Sequence, residues 1–282
     1  MAKLNNMRPM DVVMTENYHM IMEEYVLQER PVLIKGAAKK WPAFTQWPSD
    51  AFVNLCGDEE VVIKKGANKD ITKPCSLASY LDYIQTTEDT DPYYLVDWSF
   101  SRQFPELMND YDVPLYFENW LRRIPHAELL REQFDYLLRW IYIGAKHSGS
   151  SMHQDIVGTS AWNAVISGKK EWVFFDPNET DNIYEGKADL FNPDLNQYPN
   201  LAKAKGLSCI QEPGDIVFTP SLWWHQINNV EAGISVTENF INESNIHHVA
   251  NILLNIDIED KAFINTLLNY IPEFNAFFDK AS

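Results

Sequence analysis

His153 and Asp155 stand two apart in "SMHQDIV", and His225 follows downstream in "GDIVFTPSLWWHQINN". In an extended strand, alternate residues share a face, so His153 and Asp155 project together while Met152, Gln154 and Ile156 face the other way. His225 falls on a different β-rich run, after a Gly-Asp turn and a Pro break, and can bring a third ligand from a neighbouring strand. Two imidazoles and one carboxylate on one face of a metal leave its other positions open, which suits non-haem Fe(II) oxygen chemistry. Catalytic zinc more often sits in a tetrahedral site with a single open position. A His-x-Asp pair alone, in a chain of seven histidines, carries little weight.

Lys170 adds to it. It follows "AVISGK" on the next predicted strand and can carry a charge into an apolar barrel mouth, where an ammonium without a partner is strongly disfavoured. A carboxylate of 2-oxoglutarate would be a suitable partner. Taken alone, Lys170 reads as a surface lysine like its neighbour Lys169; together with the His-Asp-His set, it reads as a ligand-binding group. The remaining histidines, His19, His126, His147, His247 and His248, read as surface or capping residues. The pair Trp223-Trp224 beside His225 fits either a cavity wall or ordinary core.

These groups need elements to hold them. From about residue 137 the chain becomes a series of short β-rich runs broken by turns: "RWIYIGA", "SMHQDIV", "EWVFFDP", "GDIVFTP", "WWHQINNV" and "ISVTENFI". Such spacing predicts a jelly roll or barrel. Ahead of it, residues 15–29 read as helix and "RPVLIKGA" as a strand. Ser76 caps a predicted helix whose Leu77, Tyr80, Leu81 and Ile84 form one stripe. After Asn242 the pattern is helical again, with Val249, Ile252, Leu253 and Ile256 on one stripe and Ile264, Leu267, Leu268 and Ile271 on another. These stripes either cover the barrel within one chain or pair two subunits as a homodimer. The expected organisation is a single domain: an N-terminal helical and strand region over 1–136, a catalytic barrel over 137–241 and a helical tail over 242–282.

The runs "GAKHSGSSMHQDIVGTSAWNAVISGKKEWVFFDP" and "EPGDIVFTPSLWWHQINNVEAGISVTENF" resemble the Jumonji-C family of Fe(II)- and 2-oxoglutarate-dependent oxygenases. Within it they are most similar to the cupin-like small-hydroxylase branch that includes the phosphatidylserine-receptor-like lysyl hydroxylase. A looser resemblance extends to "RPVLIKGAAKKWPAF", "DPYYLVDWSF" and "DYDVPLYF". The resemblance implies a mainly β fold with flanking helices, a double-stranded β-helix with N-terminal α/β additions and a C-terminal helical tail. It implies that His153, Asp155 and His225 bind iron and that Lys170 receives the distal carboxylate of 2-oxoglutarate. Asn163 matches a position lining that pocket, and Asn229 and Thr237 match polar positions near the co-substrate and metal. Ser150 stands where that branch commonly has threonine. Tyr80 matches, loosely, a phenol directed at the distal carboxylate, although a Tyr at that spacing more often belongs to the core. Dioxygen is the further co-substrate, with ascorbate as a supporting reductant.

Composition narrows the partners. The 40 acidic residues outweigh 23 Lys and Arg, a formal charge of −17 that repels phosphate backbones and anionic membranes. A basic protein or peptide substrate fits this surface better, although plain solubility explains the charge as well. Hydroxylation of a protein or peptide side chain, Lys or Arg favoured, is the first expectation. A tRNA nucleoside, a small molecule or a biosynthetic peptide are the other substrate readings, and a non-catalytic cupin-like binding module is the rival outside the enzyme class. The basic runs and serine-rich tail of the nuclear lysyl hydroxylase are missing, as are the reader domain and zinc-binding cysteines expected of a methyl-lysine demethylase. Cys56, Cys75 and Cys209 form no framework. With no apolar leader or membrane span in the sequence, a cytoplasmic setting is expected.

Overall fold

The computed structural model describes residues 4, 6–14, 17–48, 50–66, 70–125, 127–128, 139–255 and 261–278; His126 and Ile256 lie outside them. Among the described residues, six strands precede the barrel: β1 (Met7–Pro9), β2 (Val12–Met14), β3 (Val32–Lys35), β4 (Glu60–Lys65), β5 (Thr72–Ser76) and β6 (Tyr93–Trp98). Eight follow: β7 (Arg139–Gly144), β8 (Gly149–His153), β9 (Ser160–Val165), β10 (Lys169–Phe175), β11 (Gly206–Gln211), β12 (Ile216–Thr219), β13 (Trp224–Glu231) and β14 (Gly233–Phe240).

These eight are shared between two facing sheets. One has the order β1-β11-β10-β13-β8, the other β2-β3-β12-β9-β14-β7-β6-β4-β5. The chain crosses between them at nearly every turn, which is the winding of a jelly roll. Between the sheets, Trp172, Phe174 and Ile227 meet Leu33 and Val217 in one buried cluster. The larger core joins Ile141, Ile143, Trp162 and Phe218 of the barrel to Trp41, Trp47, Phe52, Leu77 and Tyr80 from the preceding segments. β6 continues the larger sheet beyond β7, so residues outside the barrel proper reach its mouth.

The helix expected after Ser76 forms over Leu77–Thr86, with the Ser76 hydroxyl accepting from the Ser79 amide at 3.2 Å. Leu77, Tyr80 and Ile84 are buried along its inner side. Residues 15–29 depart from a plain helix: one α-turn over Tyr18–Ile21 runs into a π-helical stretch, Met22–Val26. The wider turn lets Ile21, Tyr25 and Val26 all face the core, a spacing that a 3.6-residue period would splay. In the tail, Val249 and Leu253 of the helix Ile246–Asn255 and Leu267 with Ile271 pack on Leu121, Ile124 and Ile241. Both predicted stripes are therefore covered, at least in part, by the same chain. No helix among the described residues is long and apolar enough to cross a membrane.

Candidate active site

β13 lies antiparallel to β8, and its register sets His225 directly opposite His153, with ring centroids 4.2 Å apart. From His225 to Ile227 two steps on β13 match three on β8, from His153 to Ser150, so the extra residue is a bulge in β8, while Gln226, paired with Val173 of β10, bonds Asp189 and the Leu190 amide through its side chain. The strand ends at His153, not beyond Asp155 as the alternation implied. Asp155 remains extended (φ −69°, ψ 152°) at the entry to the turn Ile156–Gly158, so its side chain still joins the histidines. Gly158, at φ 68°, brings that turn against the tail helix, where a β-carbon would stand 2.6 Å from Ile252 Cδ1. One donor atom each from His153, Asp155 and His225 lie within 4.8 Å of one another.

The donors are set for a cation. His153 Nδ1 donates to the Ser151 carbonyl at 2.7 Å and His225 Nδ1 to the Trp223 carbonyl at 3.1 Å. A carbonyl can only accept, so each ring is fixed with its lone pair on Nε2, the nitrogen a metal requires. Burial among Trp172 and Phe174 pushes His225 down to about 4, so its imidazole is neutral at physiological pH. Burial raises the Asp155 carboxyl to about 6, opposed by His153 and by a hydrogen bond from Asn239. Asp155 Oδ2 is buried and has no hydrogen-bond partner among the described residues. A sheltered carboxylate oxygen without a partner is costly unless a cation meets it, so the set fits a divalent metal by its own chemistry.

The same residues open onto a cavity of about 450 Å³ between the two sheets. Lys170 and Asn163 line it, as do Ser150 and Thr237. The Lys170 ammonium donates to Tyr94 Oη at 3.0 Å and Asn229 Oδ1 at 2.9 Å, and Asn229 Nδ2 donates to Ser148 Oγ at 2.8 Å. Among the described residues, all of its bonds are to neutral groups. Burial accordingly lowers Lys170 to about 7, and raises the Tyr94 phenol well above the usual tyrosine range. Asn163 Oδ1 is buried without a partner, while Thr237 Oγ1 donates to the Trp162 carbonyl at 2.5 Å. An uncompensated ammonium facing a polar-walled cavity is an anion site in chemical terms.

Tyr80 lies apart from this pocket. Its hydroxyl is held by the Leu95 amide and the carbonyls of Tyr93 and Ile143, and it does not line the cavity. The phenol beside Lys170 belongs to Tyr94, in the stretch "DPYYLVDWSF"; a short run of β-formers with alternating burial was the signal available for it. Asn239 was likewise unforeseen as the residue that bonds Asp155. Trp223 and Trp224 pack in neighbouring core clusters, and Trp140, Trp162 and Trp172 line the cavity instead. His147 occupies the turn before β8 at φ 72°. His248 Nε2 meets the Glu29 carboxylate at 3.0 Å, with the His247 ring tilted against His248 at 3.9 Å, fastening the tail helix to an N-terminal turn.

Residues 19–246 match the cupin-like domain family. Among characterised proteins, the lysine-specific demethylase JMJ21 of Arabidopsis thaliana is 33% identical over 235 residues, 78% of this chain and 24% of that protein. The bifunctional arginine demethylase and lysyl-hydroxylase psr-1 of Caenorhabditis elegans is 29% identical over 242 residues, covering 78% of this chain and 57% of its own. The 2-oxoglutarate and iron-dependent oxygenase JMJD4 of Gallus gallus is 35% identical over 162 residues, 54% of this chain and 37% of that protein. The chain thus spans from about a quarter to somewhat over half the length of these relatives.

Proposed function

The chain belongs to the cupin-like, Jumonji-C family, and from that premise we propose that it is an Fe(II)- and 2-oxoglutarate-dependent oxygenase that hydroxylates a lysine or arginine side chain of a protein or peptide. The observation that carries this reading is the meeting, in one cavity, of a two-histidine, one-carboxylate donor set with a buried ammonium whose bonds all go to neutral groups. A binding scaffold needs neither.

His153, Asp155 and His225 would hold the iron, which, with 2-oxoglutarate and dioxygen, supplies the oxidising power for attack on a C–H bond. Lys170, with Tyr94 and Asn229 beside it, anchors the distal carboxylate as a point charge and sets how far the co-substrate enters. Asn163 and Thr237 present polar atoms along the same wall. Trp140, Trp162 and Trp172 supply apolar surface that keeps water from the reacting centre. The Nδ1 bonds of the two histidines fix ring orientation, so each would offer Nε2 to the metal from the cavity wall.

The test is product mass. Incubated with Fe(II), 2-oxoglutarate and ascorbate, the protein should give species 16 Da heavier, at lysine or arginine, in a protein or peptide pool (one oxygen atom). Heavier products confined to tRNA nucleosides or small metabolites would replace the protein substrate in this reading. Conversion of 2-oxoglutarate with loss of methyl groups and no retained oxygen would replace hydroxylation by demethylation.

A further inference from the structure

A strand of regular alternation would put Asp97 on the same side of β6 as Leu95, against the main core. It does not go there. The register of β6 on β7 pairs Leu95 with Ile143 and Trp98 with Ile141, so three steps on one strand match two on the other. The extra residue is a bulge, and within it Asp97 adopts φ 57°, left-handed backbone that few residues other than glycine, asparagine and aspartate accept readily. Its effect is specific: Leu95 and Trp98 both enter the core, while Tyr94, Val96 and Asp97 all line the cavity. Bulges and left-handed residues at a cavity rim are sites where backbone strain aims a side chain.

The aimed group is a carboxylate. Among the charged side chains lining the cavity, Asp155 stands with the two histidines and Lys170 with Tyr94 and Asn229, which leaves Asp97 unassigned. Tyr142 Oη, also on the cavity wall, donates to Asp97 Oδ1 at 3.2 Å. Lys64 Nζ reaches Oδ2 from outside at 3.4 Å, and more than half of the Asp97 side chain remains accessible. A long 3.4 Å contact between partly exposed groups is weak and readily shared. Trp140 and Tyr142 add aromatic surface on the same wall, against which a cation also rests favourably.

We infer that Asp97 is the specificity-determining residue of the cavity, receiving the ammonium or guanidinium of the substrate side chain beside Tyr142. This rests on the oxygenase reading for its chemistry, but not for its recognition step. The bulge converts a core-facing position into one that selects cationic over neutral side chains of the same shape. Lys64 holds the carboxylate in place until the substrate arrives.

Two matched peptide libraries test it, each an 11-residue degenerate peptide with a fixed central residue: lysine against norleucine, and arginine against citrulline. Binding to the metal-free protein is read by fluorescence anisotropy, and oxidation of the central residue by mass spectrometry with Fe(II) and 2-oxoglutarate present. The wild type should favour the cationic member of each pair by roughly tenfold or more in both readouts. Asp97→Asn, which keeps shape and tolerates the left-handed backbone, should bring both ratios close to one. Lys64→Met should leave them equal or larger. Ratios near one in the wild type, or unchanged in Asp97→Asn, overturn the assignment and leave Asp97 as a structural partner of Lys64. A cation preference in binding that vanishes in Asp97→Asn, with no oxidation of any peptide and no succinate, supports Asp97 and counts against the oxygenase reading alone.

Discussion

Replacing Lys170 with methionine should separate function from stability. Burial holds the ammonium at about 7, against 10.5 for an ordinary lysine. At about 1.4 kcal/mol per unit, that is on the order of 5 kcal/mol against keeping it charged in the folded protein. The unfolded chain binds one more proton than the folded one between about pH 7 and 10.5, so this group's contribution to stability improves as pH rises through that window and is least favourable below it. Methionine removes the penalty. It also forfeits the bonds to Tyr94 Oη and Asn229 Oδ1, each worth about 1.5 to 3 kcal/mol when one partner is charged. The two effects nearly cancel, and urea unfolding of ligand-free Lys170→Met at pH 6.5 should lie within about 2 kcal/mol of the wild type. The requirement for 2-oxoglutarate should rise sharply, its KM in a succinate assay increasing about 10- to 100-fold for one lost charge-assisted contact. A variant that lost more than about 4 kcal/mol while keeping the wild-type KM would make Lys170 a structural anchor and refute the anion-site reasoning.

The same lysine gives a pH signature: since the bound dianion requires the ammonium, 2-oxoglutarate affinity should weaken above about pH 7, and calorimetry near pH 8 in buffers of different ionisation heat should detect proton uptake on binding. The two tyrosines should part company. Tyr80→Phe loses bonds to backbone groups and should cost about 1 to 3 kcal/mol in denaturant unfolding with an unchanged 2-oxoglutarate KM; Tyr94→Phe should raise that KM roughly 2- to 15-fold. A β-carbon at Gly149 would overlap the Ile227 carbonyl oxygen of the adjoining strand. Gly149→Ala should therefore force β8 from β13, separating His153 from His225, and iron retention after dialysis should fall alongside a stability loss of about 1 to 3 kcal/mol.

Most of the jelly roll was legible because its strands are short runs of β-formers between turn residues, a local signal. Met152 faces away from His153 as the period of two requires, and Ser76 caps its helix through its own hydroxyl. What escaped the sequence depends on distant contacts. The end of β8 at His153 follows a bulge in β8 itself, set by its pairing with β13, and the π-helical turn at Met22–Val26 is set by the core beneath it. Choosing Tyr94 over Tyr80 required knowing that β6 extends the larger sheet alongside β7, and no periodicity within either segment contains that. Asp97 is the sharpest case. Alternation assigns it to the core side, and a single inserted residue reverses the assignment.

Anaerobic Fe(II) titration followed by admission of oxygen with 2-oxoglutarate probes the three-residue donor set itself. The wild type should bind one ferrous ion per chain and then release succinate, slowly even without substrate, whereas His153→Ala, Asp155→Ala and His225→Ala should each lose both the tight ion and the succinate. A wild type that held its iron and left 2-oxoglutarate untouched, or an Asp155→Ala variant that made succinate at the normal rate, would contradict the assignment of these three side chains to an oxygenase centre.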